Sequence, residues 1–182
     1  MIDPGTIDVM TATDPRFIPD VLPDIPGRRI CLRALRDDDA ARLLDLYGDP
    51  VVMRYTDEDP FPDLATVALM LESVRSLLAS GESLEWAITL KENDLLIGTC
   101  GLHSFDWATA TAEVGCLLMR SEWGKHYMSE AVRLLMAYAA DVLRLRRLRA
   151  DVDVENQRAQ RLFGSLGYRR ADPGTWEVDL SS

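Results

Sequence analysis

The chain has 182 residues, 47% of them apolar, and a net charge of −10, with a mean hydropathy of −0.07. That length supports one domain with a substantial core, and no apolar run is long enough to span a bilayer. The excess of 30 acidic over 20 basic residues argues against nucleic acid as a partner of the whole surface.

The opening "MIDPGTIDVMTATDPRF" has neither a basic start nor a hydrophobic stretch, so no signal peptide is evident and a cytoplasmic location is expected. Pro4, Pro15, Pro19, Pro23 and Pro26 break any regular element in residues 1–27. This region reads as an irregular Pro/Asp-rich arm, lying over its own chain or over a second subunit of a homodimer. A single domain is expected over residues 28–182. "RRICLRAL" (28–35) alternates as a strand does. "RDDDAARLLDLYGD" follows as a helix, with Asp37 or Asp38 as cap and Leu43, Leu44 and Tyr47 on one face. "DLATVALMLESVRSLLASG" predicts a second helix, apolar at Leu64, Val67, Leu71, Val74 and Leu78 and closed by Gly81.

Three strands come next, "LEWAITL" (84–90), "LLIGTCGLHSF" (95–105) and "AEVGCLLM" (112–119), the first two joined by the turn "KEND". A long helix is expected from Tyr127 to Leu143. Then follow a strand "RLRADVDV", a short helix "NQRAQRLFGSL", and an antiparallel pair "YRRAD" and "TWEVDL" around Pro173-Gly174. Cys31, Cys100 and Cys116 are odd in number and flanked by strand-like sequence, which predicts buried free thiols. With only two histidines beside them they form no ligand cluster, and no metal is expected.

Charge is unevenly placed. Residues 120–170 hold 11 basic against 6 acidic residues, so the remainder carries −15. An anionic ligand is expected in that segment and a cationic one elsewhere. The order strand, loop, helix over residues 112–142 makes an anion site, because the first helical turn leaves backbone N–H groups without partners and the dipole adds partial positive charge.

"AEVG" leading to "WGKHYMSEAV", followed some thirty residues later by "NQRAQRLFGSLGY", resembles the GNAT N-acetyltransferases, most closely the branch that includes the ribosomal-protein N-terminal acetyltransferases. The resemblance covers about residues 28–180. It implies an α/β fold with a mixed, mostly antiparallel sheet, flanked by helices, whose central strands splay to admit acetyl-CoA. It also implies direct attack of an amine on acetyl-CoA through a tetrahedral intermediate. The family's pyrophosphate loop, Gln/Arg-x-x-Gly-x-Gly/Ala, falls on Trp123, Gly124, Lys125, His126, Tyr127 and Met128, so His126 stands where the family has glycine. Either its N–H alone meets phosphate while the ring faces solvent, or the imidazole itself binds. Leu117, Leu118 and Met119 match the segment that pairs with the pantetheine arm. Asn156 is placed near the pantetheine or the reacting centre, and equally reads as a helix cap.

The acceptor amine must lose a proton, and Glu113 matches the family's general-base position, although an exposed strand residue is the plainer reading. The tyrosine that protonates the leaving thiolate in many members is here Phe163. His103 and Trp107 are acceptor-side candidates, with packing the simpler explanation, as it is for Trp86 and Trp176. Arg144, Arg146, Arg147 and Arg149 either meet the nucleotide end of CoA or complement a helix C-terminus. The sequence therefore points to acetyl transfer onto a cationic amine, a protein N-terminus or a small polyamine-like molecule. An antibiotic-modifying acetyltransferase and a non-catalytic acyl-CoA-binding module remain as alternatives.

Overall fold

The computed structural model describes residues 18–180. Strand β1 (Ile25–Pro26) and β2 (Ile30–Ala34) lead through a 3-10 turn at Asp37–Asp39 into α1 (Ala40–Tyr47). Helices α2 (Pro50–Met53) and α3 (Leu64–Ser80) precede three long strands, β3 (Ser83–Leu90), β4 (Leu96–Asp106) and β5 (Thr111–Leu118). Helix α4 (Tyr127–Asp141), β6 (Arg147–Asp151), α5 (Gln157–Ser165), β7 (Arg169–Asp172) and β8 (Thr175–Asp179) complete the order. One eight-stranded sheet results, in the order β1-β2-β3-β4-β5-β6-β8-β7. Every neighbouring pair is antiparallel except β5 and β6. This is the mixed, mostly antiparallel sheet expected from the sequence.

Both faces of the central strands are covered. Leu84, Trp86, Ile88 and Leu102 join Ala131, Leu135 and Tyr138 of α4 in the larger core, where Trp86 meets Tyr138 edge-on at 5.3 Å between centroids. On the opposite face Ala87 and Leu96 pack with Leu43 and Leu46 of α1 and Val67 and Leu71 of α3. Local signals explain the helix ends. The Asp63 carboxylate accepts the Thr66 N–H at 2.9 Å at the start of α3, and Gly81, with φ 75°, closes it in the left-handed conformation that glycine adopts without penalty.

Several expectations need correction. Neither Asp37 nor Asp38 caps α1. Residues 37–39 form the 3-10 turn, and the Asp39 carboxylate is held at 2.8 and 2.9 Å by the buried Arg33 guanidinium. Leu64 points outward, because the turn of α3 that meets the sheet carries Val67 and Leu71 instead. Of the three cysteines, all free, Cys100 is buried while Cys31 and Cys116 are half-buried. The prolines do not exclude regular structure from the arm. Ile25 and Pro26 pair with Leu32 and Cys31, at the edge position where a proline's missing N–H is tolerated. Leu22 enters the core and the Pro23 carbonyl accepts the Trp86 indole N–H at 3.0 Å. Residues 1–17 of the arm lie outside the described residues.

Candidate active site

The parallel pairing of β5 with β6 lasts three residues, from Thr111↔Arg147 to Glu113↔Arg149. On its other edge β5 stays with β4 as far as Leu118. Past Glu113 the central strands part, and among the described residues, residues 114–118 have a partner strand on one side only. A chain with its own donors and acceptors fits along such an edge.

At the wide end of this gap stands the loop into α4. Gly124 has φ 78°, with nothing within 4 Å of where a side chain would begin. His126 has φ 64°, so it takes the left-handed conformation of the glycine it replaces. It is the N-cap of α4 but makes no capping bond with its ring, which is exposed. The N–H groups of Tyr127, Met128 and Ser129 therefore have no intrahelical partner and, among the described residues, no cap, and two left-handed residues flanking Lys125 turn the backbone into a concavity suited to an anion. The loop is braced from behind. Arg29 donates to the Lys125 carbonyl at 2.9 Å and to the Glu130 carboxylate at 3.0 Å, and it lies 4.6 Å from the Tyr127 ring centroid. The Lys125 ammonium is paired with Glu122 at 2.9 Å, so its charge is shared with that carboxylate.

The remaining motif residues divide by role. Trp123 donates its indole N–H to the Leu118 carbonyl at 2.8 Å, and the Arg158 guanidinium of α5 lies 3.3 Å from its ring centroid. Met128 is buried beneath the loop. Met119 gives its N–H to the Ile97 carbonyl at 2.9 Å, and Leu118 has its carbonyl engaged by Trp123, so Leu117 and the residues before it present the freer backbone. Asn156 is the N-cap of α5, accepting the Ala159 N–H at 3.1 Å. Phe163 is buried edge-to-face with Tyr168 at 4.9 Å.

Alternation along the strands sorts the polar groups onto the face covered by α1 and α3. The Glu113 carboxylate lies 3.8 Å from His103 Nδ1. It also borders an open cleft with Ser104, Asp106, Thr111, Arg147 and Arg149. Arg149 and Arg147 are drawn to Glu177 at 2.7 and 3.7 Å, at the paired end of β6 and away from the loop into α4. Trp107 stacks on Phe105 at 5.0 Å, a packing contact. The sequence marks neither Thr99 nor Glu85 on this face, and marks Tyr47 only as part of the apolar face of α1. Tyr47 and Thr99 share a hydrogen bond of 2.9 Å, and Glu85, beside them, has its carboxyl pushed up to about 8, burial being the main cause. The available signal was the lone charge inside "LEWAITL". On that same side the loop between α2 and α3 exposes Asp57, Glu58, Asp59 and Asp63 around Phe61, which stacks on Tyr47 at 4.9 Å.

Residues 29–169 match the family model described as an acetyltransferase (GNAT) domain. The chain belongs to the GNAT acetyltransferases. An uncharacterised N-acetyltransferase of Bacillus licheniformis, p20, is 35% identical over 142 residues, which cover 78% of this chain and 80% of that protein. Among solved structures, the RimJ protein of Mycobacterium smegmatis in complex with CoA-disulfide aligns with a TM-score of 0.77 at 16% identity, covering 90% of each chain. The spermidine N-acetyltransferase of Vibrio cholerae, in complex with CoA and spermine, aligns at 0.73 and 18% identity, covering 84% of this chain and 96% of that one. At these identities the two structures share the fold of this GNAT acetyltransferase. The family uses acetyl-CoA, and the one-sided β5 with the uncapped α4 entrance suits its two parts, an amide-bearing arm and a pyrophosphate. No helix among the described residues is long and apolar enough to cross a membrane.

Proposed function

We propose that this acetyltransferase moves the acetyl group of acetyl-CoA to a primary amine that arrives as a cation, a protein N-terminus or a small polyamine-like molecule. The observation that carries this reading is the parting of β5 from β6 directly beside a face rich in carboxylates. The pantetheine arm is assigned to the free edge of β5 at Leu117 and the residues before it, with Leu118 and Met119, whose carbonyl and N–H are engaged, closing that edge. The pyrophosphate is assigned to the N–H groups from Gly124 to Met128, with Trp123 and Asn156 fixing the strand and helix that flank it. Exposed Asp57, Glu58, Asp59 and Asp63 favour a positively charged acceptor by steering.

The amine attacks the acetyl carbonyl directly, and Glu113 is the residue assigned to take its proton in the chemical step, in person or through water. Phe163 has no proton to give, so the departing thiolate is protonated by solvent. The placement within the ribosomal-protein branch rests on the sequence motifs and on the RimJ likeness in fold. A thiol-release assay over small amines, polyamines, aminoglycosides and free-N-terminus peptides tests the reading. Turnover on peptides or polyamines supports it, whereas turnover on aminoglycosides alone favours the antibiotic-modifying alternative. Acetyl-CoA should also raise the unfolding midpoint by mass action. An unmoved midpoint at millimolar ligand would refute the family site, and binding without turnover would leave a carrier rather than an enzyme.

A further inference from the structure

Glu85 sits between Leu84 and Trp86, both fully buried on the opposite face. Among the described residues no lysine or arginine forms an ion pair with it. Arg33, the cation of β2 on its face, is held by Asp39 and by Asp94, each at 2.8 Å. Desolvation raises the Glu85 carboxyl to about 8, and the Thr99 hydroxyl opposes part of that rise. Glu85 is half-buried, and a desolvated carboxyl group with no cation is unfavourable in itself; beside a binding face it marks a functional candidate.

Register shows what it faces. Glu85 is opposite Gly101 on β4, and Gly101 is opposite Gly115 on β5. A methyl group at Gly101 would stand 2.0 Å from Glu85 Oε2, so the carboxylate lies directly over that glycine. At Gly115 the first atom met would be His103 Nε2, at 3.5 Å. Neighbouring strands are about 4.8 Å apart, so the carboxylate is roughly one strand spacing from β5. Gly115 is also two residues past Glu113, the last residue of β5 to pair with β6. Two bare glycines thus form a floor running from Glu85 to the gap.

The groups around this floor leave Glu85 the role of proton acceptor. Tyr47 of α1 is raised by burial, as are Cys100 and Cys116 on the reverse face of β4 and β5, so all three stay neutral. His103 and Glu113 occupy the outer end. Glu58 of the acidic loop acts on Tyr47, Arg33 is engaged as described, and α3 contributes the apolar Val67 and Leu71.

We propose that Glu85 is a catalytic residue of the acceptor site, receiving the acceptor's ammonium group over the Gly101–Gly115 floor and taking the first of the two protons that its nitrogen must lose. The assignment rests on the acetyl-transfer reading. One proton passes from R–NH3+ to the Glu85 carboxylate, and the freed lone pair forms the N–C bond to the acetyl carbonyl carbon. The second nitrogen proton leaves through Glu113. The C–S bond then breaks, its electron pair departing on sulfur as CoA thiolate, which takes a proton from water. Glu85 and Glu113 return their protons to solvent, so amide, thiol and one net proton result.

The test compares the full-length wild type with Glu85→Gln, Glu113→Gln and Thr99→Val, using spermidine and a short peptide with a free N-terminus. Glu85→Gln should raise the amine KM at least tenfold, keep the thermal shift given by acetyl-CoA, and abolish the limb of kcat/KM that rises toward pH 8. Glu113→Gln should lower kcat and keep that limb. Thr99→Val, which removes a hydroxyl but no charge, should move the limb to higher pH, and it serves even where Glu85→Gln does not fold. An amine KM within twofold of wild type in folded Glu85→Gln, or a limb unmoved by Thr99→Val, overturns the proposal. A wild type that binds acetyl-CoA but acetylates no amine overturns the acetyl-transfer reading itself, a separate result.

Discussion

His126→Gly separates a strained backbone from a useful side chain. A non-glycine residue in the left-handed region is disfavoured by about 1–2 kcal/mol, and His126, at φ 64°, is such a residue. Its ring is exposed and makes no capping bond, so glycine removes the strain without opening a cavity. Against this, glycine gives the unfolded chain more freedom, which offsets about 0.5–1 kcal/mol. The net gain is on the order of 0.5–1 kcal/mol, which for a domain of this length corresponds to a rise of roughly 1–4 °C in the unfolding midpoint. Differential scanning calorimetry reads that shift, and titration calorimetry with CoA reads the second half of the argument. If only the backbone N–H meets phosphate, CoA affinity stays within about twofold or improves. If the imidazole binds, loss of one hydrogen bond worth about 1 kcal/mol weakens CoA about fivefold. A lower midpoint together with a fivefold weaker CoA complex would refute the reasoning.

Glu113→Gln should lower kcat about a hundredfold at neutral pH while leaving acetyl-CoA binding intact, with partial rescue at high pH. An unchanged kcat with chemistry shown to be rate-limiting removes Glu113 from the mechanism. Stability should depend on pH through Glu85. Its folded value of about 8 lies above the ordinary 4.5, so the native state holds a proton that the unfolded chain releases between those values. The stabilisation is complete below the lower value and is lost as pH rises through the upper one. Thermal unfolding from about pH 5 to pH 9 should therefore show Glu85→Gln gaining steadily on the wild type, and parallel curves would mean that the carboxyl is not buried as described. Gly101→Ala places a methyl group 2.0 Å from Glu85 Oε2 and 2.5 Å from the Leu84 carbonyl. It should destabilise by about 1–3 kcal/mol and raise the amine KM, and a denaturant titration with no change in midpoint would count against the tight floor.

Much of this was legible in the chain. The αβ order, the terminal glycine of α3, the three long strands and the closing hairpin follow from periodicity and turn chemistry, because each depends on neighbours within a few residues. The strand–loop–helix order at the entrance to α4 was legible too, and so was the question that His126 raises. Glu85 was not. Period-2 alternation assigns one face of a strand to water, but β3 has helices on both faces, and burial on the second face depends on α1 and α3 folding over it from residues far away in sequence. The same long range hid Arg33, a charged residue that the alternating pattern alone does not send inward. Helix α2 was missed although Asp49-Pro50 carries its cap and its first-turn proline. A single turn adds too little periodicity to stand out.

The three-residue contact between β5 and β6 makes the molecule a pair of leaves on a short spine. One leaf carries β1 to β5 with the first four helices, the other β6 to β8 with α5. Two side-chain latches bridge the open edge, Arg158 against the Trp123 ring at 3.3 Å and the Tyr55 hydroxyl donating to the Glu155 carbonyl at 3.5 Å. Cation–π latches are worth about 0.5–2 kcal/mol, far less than a paired strand, so beyond Glu113 the smaller leaf is held chiefly by the core that Leu148, Ala150, Val152 and Phe163 share with α4 and the central strands. A molecule wedged between the leaves would add the missing seam, replacing two weak latches with a continuous line of contacts. Amide exchange in β6 and β8 should then slow together when the wedge is filled, although neither strand touches the phosphate loop, since both ride on the same leaf.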